Sequence, residues 1–248
     1  MKIALVTGAG SGIGRVCSLA LLKEGWAVAL VGRRLEALQE TAAAAGAHAA
    51  NALPLPTDVG REEQVAAAFE AVQQRWGRLD LLFNNAGMGL SSTTPDLVSG
   101  EEWRRVVDAN LNGSFYCLSA AFKLMRHQLP MGGRIINNGS ISAYAPRPGS
   151  IAYTATKHAI SGLTKTAALD GRPFDIAVGQ LDIGNAASEM TARMVQGVPQ
   201  ADGSMKAEPR MDLSAVVEAF MTMARLPLSA NMLFVNVMAT KMPFVGRG

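Results

Sequence analysis

The sequence has few cysteines and no cluster of metal-binding side chains. Its only cysteines are Cys17 and Cys117, and its three histidines, His48, His127 and His158, are scattered along the chain. Neither cysteine has a partner at the spacing that metal sites use. The sequence therefore predicts no metal centre, and buried free thiols are favoured over a disulfide or a reactive site.

Long apolar runs and basic runs are missing as well. No apolar stretch approaches the roughly 20 residues that span a bilayer, and residues 1–6 lack the long apolar core and the cleavage site of a signal peptide. Lysine and arginine never exceed two in a row, and the formal net charge is only +3. We therefore expect a soluble, cytoplasmic protein with no membrane and no nucleic-acid partner.

What the sequence does contain is an alternation of apolar, β-rich segments with helical ones. Its 248 residues suffice for one large α/β domain, and 49% of them are hydrophobic. The alternation predicts a doubly wound parallel sheet with helices on both faces, in a single domain over residues 1–248. The predicted strands are residues 3–7, 27–31, 52–55, 79–84, 134–138, 176–181 and 232–237, and the predicted helices are residues 12–24, 34–45, 62–76, 103–125, 153–169 and 213–224.

Glycines follow the first predicted strand. The segment Thr7-Gly-Ala-Gly-Ser-Gly-Ile-Gly14 lies between that strand and the first predicted helix. Glycine lets the main chain turn tightly and approach a ligand closely, and a helix N-terminus presents free N–H groups to an anion. The segment therefore indicates a pyrophosphate-binding loop, for which an ordinary glycine-rich turn is the alternative.

Tyr153 and Lys157 are four residues apart in a predicted helix. At that spacing two side chains share a helix face and can touch. The positive charge of an ammonium group favours the ionised form of a phenol, which makes the tyrosine a usable acid or base near neutral pH. The alternative is a chance pair on a solvated helix face.

The glycine loop, with its pattern G-x-x-x-G-x-G, and the Tyr–Lys pair occur together with Asn84-Asn-Ala-Gly87, Asn110 and Ser140. Together these motifs resemble the classical short-chain dehydrogenase/reductase family over residues 1 to about 190. The resemblance implies a Rossmann-type fold, a nicotinamide cofactor, and an oxidoreductase that interconverts a secondary alcohol and a ketone. It also implies a homotetramer or homodimer.

By the same resemblance, four residues form the candidate catalytic group. Tyr153 would be the acid for reduction and the base for oxidation, while Lys157 would favour the ionised phenol and hold the nicotinamide ribose. Ser140 would hydrogen-bond the substrate oxygen, with Ser142 as a lesser alternative. Asn110 would lie in the long helix and bind a water that links Lys157 to solvent. The alternatives are a turn hydroxyl for Ser140 and a polar residue that satisfies the helix backbone for Asn110.

The end of the second strand, Gly32-Arg33-Arg34, bears on the choice of cofactor. An acid there would bind the ribose 2′-hydroxyl and favour NAD, whereas arginine matches a 2′-phosphate. Because Gly32 stands where NAD-preferring relatives usually carry the acid, NADP is favoured and NAD is the alternative. Many NADP-preferring relatives also carry a basic residue in the glycine loop, where this chain has Ser11. The arginines could also be solvated charges at a helix start.

The resemblance assigns further cofactor contacts. Asp58 and Val59 match the family's adenine-contacting pair, although Asp58 alone indicates a helix cap. The segment Asn85-Ala86-Gly87 would line the adenosine side of the cofactor pocket and support the sheet, and a polar turn after a strand is the alternative. The full set of predicted cofactor-binding residues is Gly8, Ser11, Gly12, Ile13, Gly14, Arg33, Arg34, Asp58, Val59, Asn85, Ala86, Gly87, Tyr153, Lys157, Gly184, Ala186 and Ser188.

The chain departs from the family pattern after the sixth strand. Many relatives carry Pro-Gly there, followed by a hydrophobic residue and a threonine. Here Ile183 replaces the proline, Gly184 takes the glycine place, and Ser188 takes the threonine place. The main chain of Ala186 would then meet the carboxamide of the cofactor.

Residues 187–212 correspond to the family's substrate lid. Met190, Met194 and Met205 in it either line an adaptable apolar pocket or simply fill the core. The C-terminal residues 238–248 lack the Asp-Gly-Gly segment with which many acyl-carrier-protein reductases close. We expect the apolar end of this tail to pack on a neighbouring subunit.

Three functions are therefore open. The leading one is an NADP(H)-dependent dehydrogenase or reductase acting on a small-molecule ketone or secondary alcohol. A 3-oxoacyl-[acyl-carrier-protein] reductase is disfavoured by the tail. A cofactor-sensing binding protein on the same scaffold is disfavoured because such proteins usually lose the tyrosine or the lysine, although a fold alone does not fix a function.

Overall fold

The computed structural model describes residues 1–245, without the side chains of residues 189, 190 and 193. The strands are β1 (Ile3–Thr7), β2 (Ala27–Gly32), β3 (Ala52–Pro56), β4 (Leu81–Asn84), β5 (Gly133–Asn138), β6 (Ile176–Ile183), β7 (Val198–Pro199), β8 (Met205–Lys206) and β9 (Phe234–Val237). The helices are α1 (Gly12–Lys23), α2 (Leu35–Ala44), α3 (Glu62–Trp76), α4 (Gly100–Val107), α5 (Gly113–His127), α6 (Ile151–Asp170) and α7 (Leu213–Arg225).

Seven of these strands form one parallel sheet in the order β3-β2-β1-β4-β5-β6-β9. In β1, Val6 is level with Leu30 of β2 and with Phe83 of β4. The direction of winding reverses between β1 and β4, and sheets of this kind bind ligands beyond the carboxyl ends of the strands at that point. The predicted fold class, a Rossmann-type doubly wound sheet, is confirmed.

Alternate residues of the central strands point to opposite faces of the sheet, and helices cover both faces. On one face, Val6 and Phe83 pack with α1, α2 and α7, and the ring of Phe220 in α7 lies 4.5 Å from that of Phe83. On the other face, Leu5 and Leu82 pack with α3, α5 and α6. Because β1 is buried along its whole length, the loop that follows it starts from a fixed point.

Both cysteines are buried free thiols, one in each core, as predicted. Burial raises the pKa of the Cys17 and Cys117 thiols, so both stay protonated and unreactive. No group of three or more His, Cys, Asp or Glu side chains within residues 1–245 is arranged to hold a metal ion. The helices of that same part of the chain are all too short or too polar to cross a bilayer.

The long helix predicted over residues 103–125 is interrupted. Helix α4 ends at Val107, one turn of π-helix follows over Asp108–Asn112, and α5 begins at Gly113. The prediction of a single regular helix was therefore wrong at this point. A π turn inserts one extra residue into the helix and is common at functional sites. Here it carries Asn110.

The predicted lid, residues 187–212, contains little regular structure. A 3-10 turn spans Glu189–Val195, and β7 pairs with β8 in an antiparallel ribbon that the sequence did not predict. Ala186 forms an isolated parallel bridge with Met211. The two ends of the lid are therefore joined directly after β6.

The described part of the C-terminal tail folds back on its own chain. Ala239 and Met242 are buried in a small apolar cluster that contains Ile141, and the ring of Phe244 meets that of Tyr144 edge-on at 6.3 Å. Val245, at the apolar end of the tail, is 92% exposed in the single chain, so the expected packing on a neighbouring subunit stays a prediction. Residues 246–248 lie outside the described part.

Candidate active site

The loop after β1 is shaped by its glycines. Gly8 and Gly12 have φ angles of +69° and +50°, a conformation that other residues rarely adopt. A Cβ atom on Gly14 would lie 2.2 Å from the main-chain oxygen of Gly8. The Ser11 side chain makes no capping bond to α1, so it leaves N–H groups of the first turn to an anion. This cradle fits a pyrophosphate.

A cavity of about 900 Å³ opens beside this loop. Eight of the predicted cofactor-binding residues line it, namely Gly8, Ser11, Arg33, Arg34, Asp58, Val59, Ala86 and Gly87. Three more arginines on its wall, Arg61, Arg104 and Arg105, were missed, because their positions in the sequence do not relate them to β2. Arg33 and Arg34 are exposed, and neither forms an ion pair within residues 1–245.

Asn85 braces the glycine loop against the neighbouring strands. Its Nδ2 donates to the main-chain oxygen of Thr7 at 2.9 Å, and its Oδ1 accepts from Asn138 Nδ2 at 2.8 Å. The Thr7 hydroxyl accepts from the N–H groups of Asn85 and Ala86. Asn85 therefore supports the cavity through its hydrogen bonds, which agrees with the supporting part of its predicted role.

Asp58 does not cap α3. Its Oδ1 accepts from the N–H of Gly60 at 3.0 Å, while Arg61 is the N-cap and the helix begins at Glu62. The helix-cap interpretation was therefore wrong, because the carboxylate closes the local turn instead. That turn leaves Asp58 and Val59 on the cavity wall.

Tyr153 and Lys157 lie on the same face of α6, as their spacing predicted. Lys157 Nζ is 5.5 Å from the centre of the Tyr153 ring and donates to the main-chain oxygen of Asn138 at 2.7 Å. Lys157 is only 5% exposed. Since a buried ammonium is costly unless it is bonded, the carbonyl of Asn138 fixes its position next to Tyr153.

Asn110 is buried in the π turn and bonded through its amide group. Its Oδ1 accepts from the N–H of Met88 at 2.7 Å, and its Nδ2 donates to the Met88 oxygen at 2.9 Å and to Thr156 Oγ1 at 3.1 Å. The Thr156 hydroxyl in turn donates to the main-chain oxygen of Tyr153 at 2.9 Å. Asn110 thus ties the segment after β4 to the helix that carries Tyr153. Its water-binding role stays a prediction.

Ser140 follows β5 and lies on the wall of a second cavity, of about 470 Å³. Tyr153 and Ser142 line the same cavity. The Ser140 hydroxyl accepts from the Ser142 N–H at 3.1 Å, which leaves its hydrogen free to be donated. The two cavities adjoin, because Met88 lines the larger one and Gly89 the smaller one.

The smaller cavity is largely apolar. Its apolar lining comes from the lid and from the segments near Gly89 and Tyr153, and consists of Leu90, Val98, Ile141, Pro148, Ile151, Ala152, Ile183, Met194, Val198, Pro199 and Met205. Two of the three predicted lid methionines, Met194 and Met205, are among them, while the side chain of Met190 lies outside the described part. A cavity of this size and character suits a small organic molecule.

Arg147 is the one charged side chain that lines the smaller cavity within the described part. It forms a short ion pair with Glu208 of the lid. Asn185 Nδ2 donates to Glu208 Oε2 at 2.8 Å, and Gln200 Nε2 donates to Oε1 at 3.0 Å. Burial raises the pKa of Glu208, but the hydrogen bonds from Arg147, Gln200 and Asn185 outweigh burial and bring the pKa below its usual 4.5. Glu208 is therefore ionised at neutral pH and neutralises Arg147.

The segment after β6 runs from the smaller cavity to the glycine loop. Gly184 lines the smaller cavity, while Ala186 is buried and bridged to Met211. Ser188 lies against the glycine loop, because a Cβ atom on Gly12 would be 3.7 Å from Ser188 Cβ. The Ile13 side chain packs against the core, and its contact with the cofactor stays a prediction.

A glycine cradle at the switch point of a doubly wound sheet, next to a cavity that holds a tyrosine and a serine, is the arrangement of a nucleotide-dependent oxidoreductase. The chain belongs to the short chain dehydrogenase family, whose family model matches residues 2–198. It is therefore a member of an enzyme family of dehydrogenases and reductases. The resemblance inferred from the sequence motifs is confirmed.

Among its relatives is a 3beta-hydroxysteroid dehydrogenase of Mediterraneibacter gnavus, which is 41% identical over 169 residues. That match covers 68% of this chain and spans only 60% of the relative.

Two solved structures with bound cofactor superpose over almost the whole chain. The structure of 3-ketoacyl-(acyl-carrier-protein) reductase from Brucella melitensis, complexed with NADH, has a TM-score of 0.85 at 26% identity and covers 97% of this chain and 98% of its own. The closed form of serine dehydrogenase, complexed with NADP⁺, has a TM-score of 0.86 at 25% identity and covers 98% and 97%. Similar structures thus bind either nicotinamide cofactor.

Proposed function

We propose that the protein is an NADP(H)-dependent oxidoreductase that interconverts a secondary alcohol and an uncharged, largely apolar ketone. The observation that carries the proposal is that Tyr153 and Ser140 line one cavity, which adjoins the cavity of the glycine loop. Lys157, held by a carbonyl, stands behind Tyr153.

Four residues carry out the proton chemistry. When bound, the nicotinamide cofactor supplies the hydride for reduction or accepts it for oxidation. The Tyr153 hydroxyl gives its proton to the ketone oxygen in reduction and takes one from the alcohol in oxidation. Ser140 donates a hydrogen bond to that oxygen and stabilises its developing charge. Lys157 offers its positive charge to the phenol, and Asn110 anchors the water through which the proton is replaced.

The residues of the larger cavity fit the cofactor. The glycine loop would take the pyrophosphate, Asp58 and Val59 the adenine, and Arg33 with Arg34 a 2′-phosphate. After β6, the main chain of Ala186 would meet the carboxamide, with Gly184 and Ser188 as further cofactor contacts. Five arginines and three carboxylates stand on this cavity wall, and the net positive charge favours NADP over NAD.

The smaller cavity favours an uncharged substrate. Its lining is mostly apolar, and the charge of Arg147 is neutralised by Glu208. A carboxylate-bearing substrate would have to compete with Glu208 for the guanidinium, whereas a neutral ketone would not. A hydroxysteroid, the class in the name of the Mediterraneibacter gnavus relative, has this apolar character.

A second candidate is a 3-oxoacyl-[acyl-carrier-protein] reductase, favoured by the likeness to the Brucella melitensis structure. The C-terminal tail, which lacks the Asp-Gly-Gly segment, disfavours it. The cytoplasmic location expected from the sequence stays a prediction.

A ketone panel tests the proposal. We would follow NADPH oxidation by the purified protein with neutral cyclic and steroidal ketones, with carboxylate-bearing ketones, and with acetoacetyl-coenzyme A. The proposal predicts the highest kcat/KM with a neutral ketone. Turnover of the thioester alone would favour the carrier-protein reductase, and NADPH binding without any turnover would indicate a cofactor-sensing protein.

A further inference from the structure

A buried carboxylate, Asp182 of β6, lies directly behind Ser140. Its side chain has no exposed surface. Asp182 Oδ1 accepts from the Ser140 N–H at 2.9 Å and from Gln180 Nε2 at 2.7 Å, and Oδ2 accepts from the Tyr144 hydroxyl at 2.9 Å. None of the sequence motifs pointed to this residue, and the proton chemistry proposed above does not use it.

The turn between β5 and Ser140 is built around this carboxylate. A Cβ atom on Gly139 would lie 1.9 Å from Asp182 Oδ1 and 2.6 Å from Gln180 Nε2. No other residue fits at position 139 unless Asp182 moves. The main chain at Gly139 is therefore packed directly against the Asp182 carboxylate.

Neighbouring polar groups hold Asp182 in place. Gln180 donates to Asp182, and Gln180 Oε1 in turn accepts from the Thr164 hydroxyl of α6 at 3.0 Å. The Thr164 hydroxyl accepts from Asn137 Nδ2 of β5 at 2.9 Å. A run of buried hydrogen bonds thus joins Asp182 to the strand and the helix that carry the proposed catalytic residues, and such networks fix geometry when every member is bonded.

The ionisable groups that face Asp182 are Tyr144 and Lys157. Burial raises the pKa of Asp182 above its usual 3.8, against the opposing effect of its hydrogen bonds and of the charge on Lys157. Burial and the bond to Asp182 raise the pKa of Tyr144 to about 12. Tyr144 therefore keeps its proton and is the donor in that bond.

We propose that Asp182 is a positioning residue, which holds the main chain at Gly139–Ser140 so that the Ser140 hydroxyl faces the substrate oxygen. The inference rests on the role proposed for Ser140. The position needs an acceptor oxygen where Oδ1 lies and does not need the negative charge. Asparagine meets that need, because its oxygen can accept from Ser140 and Gln180 while its NH₂ group donates to the Tyr144 oxygen.

Paired substitutions test this role. Asp182→Ala should lower kcat for the fastest ketone of the panel by about ten- to a hundredfold, with the KM for NADPH changed by less than about threefold. Asp182→Asn should keep kcat within about threefold of the wild type. A loss in Asp182→Asn as large as that in Asp182→Ala would overturn the proposal, and so would a parallel loss of kcat and NADPH binding.

Amide hydrogen exchange gives a readout that needs no substrate. In Asp182→Ala the Ser140 N–H should exchange faster than in the wild type, whereas in Asp182→Asn its protection should be kept. Unchanged protection in Asp182→Ala would refute the positioning role even if the wild type reduced no ketone. Absence of wild-type turnover, with the exchange pattern as expected, would instead refute the proposed function alone.

Discussion

Arg33 follows Gly32 at the end of β2, on the wall of the larger cavity. The glycine offers no carboxylate to a ribose 2′-hydroxyl, and a guanidinium matches a phosphate with two parallel hydrogen bonds. Arg33 is exposed and makes no ion pair within residues 1–245. Its charge is therefore available to a 2′-phosphate.

Arg33→Ala should weaken NADPH binding by about tenfold or more, because one charge-assisted contact is lost, and should leave NADH binding nearly unchanged. Calorimetric titration of both cofactors measures this. Arg75→Ala, which removes an exposed arginine of α3 away from the cavity, is the matched control. Tighter binding of NADH than of NADPH by the wild type would refute the cofactor assignment.

Contacts between site residues could be predicted only where the two residues are close in the sequence. The proximity of Tyr153 and Lys157 could be predicted because side chains four residues apart lie on the same face of any helix. Asp182 and its partner Ser140 are 42 residues apart, and Arg147 and Glu208 are 61 apart. No local pattern links such pairs, since the sheet and the lid bring them together only after folding.

Among the elements, the lid is hydrogen-bonded through Glu208 to segments beside the smaller cavity. Glu208 accepts hydrogen bonds from Arg147 of the segment before α6, from Asn185 after β6, and from Gln200 of the lid itself. One carboxylate therefore joins three segments and also neutralises the cavity. Both consequences can be measured.

Glu208→Gln keeps the acceptor oxygen and removes the charge that neutralises Arg147. We expect the ratio of kcat/KM for carboxylate-bearing ketones to that for neutral ketones to rise by about tenfold, as a freed guanidinium attracts carboxylates. Glu63→Gln, on the exposed face of α3, controls for the loss of a surface charge. An unchanged ratio would show that Glu208 does not set the preference.

The lowered pKa of Glu208 also predicts a pH dependence of stability. A carboxyl group with a lowered pKa in the folded state stabilises the fold above its usual value of 4.5, and this contribution is lost as pH falls through the lowered pKa. As the pH is lowered from about 7 to about 3, the Tm of the wild type should therefore fall more than that of Glu208→Gln, which thermal melting at each pH measures. An equal fall of Tm in both proteins would contradict the prediction that Glu208 contributes to this pH dependence.

The π turn shows why one element was predicted wrongly. Apolar periodicity is continuous from α4 into α5, so the sequence indicates one helix. The inserted residue depends on contacts from outside the helix, such as those between the Asn110 amide and Met88. Tertiary contacts of that kind do not alter the apolar periodicity of the sequence, so the sequence does not reveal them.

For the molecule as a whole, the alternation of strands and helices was sufficient to predict the sheet. When a helix connects two neighbouring strands of one sheet, it brings the chain back to the end where the first strand began, so the two strands run parallel. Such β-α-β connections are right-handed for steric reasons. The ribbon of β7 and β8 was not predictable, because its two-residue strands carry no alternating pattern. The family resemblance adds an assembly, a homotetramer or homodimer, that remains a prediction.

Large exposed apolar side chains make that assembly testable. Trp103 of α4 and Phe115 of α5 are 39% and 49% exposed in the single chain. If α4 and α5 form the subunit interface, Phe115→Glu should lower the mass measured by light scattering to that of a smaller assembly. Leu129→Glu, at a more exposed leucine in the loop before β5, is the control, and a monomeric wild type would contradict the prediction.

Tyr153→Phe tests the central claim, proton transfer by the Tyr153 hydroxyl, most directly. The substitution removes one oxygen from the wall of the substrate cavity and leaves the glycine loop and the arginines unchanged. The measurement compares kcat for the best ketone with the NADPH dissociation constant, in the wild type and in the variant. We predict a fall in kcat of about a thousandfold with NADPH binding nearly unchanged, whereas turnover near the wild-type rate would contradict the account.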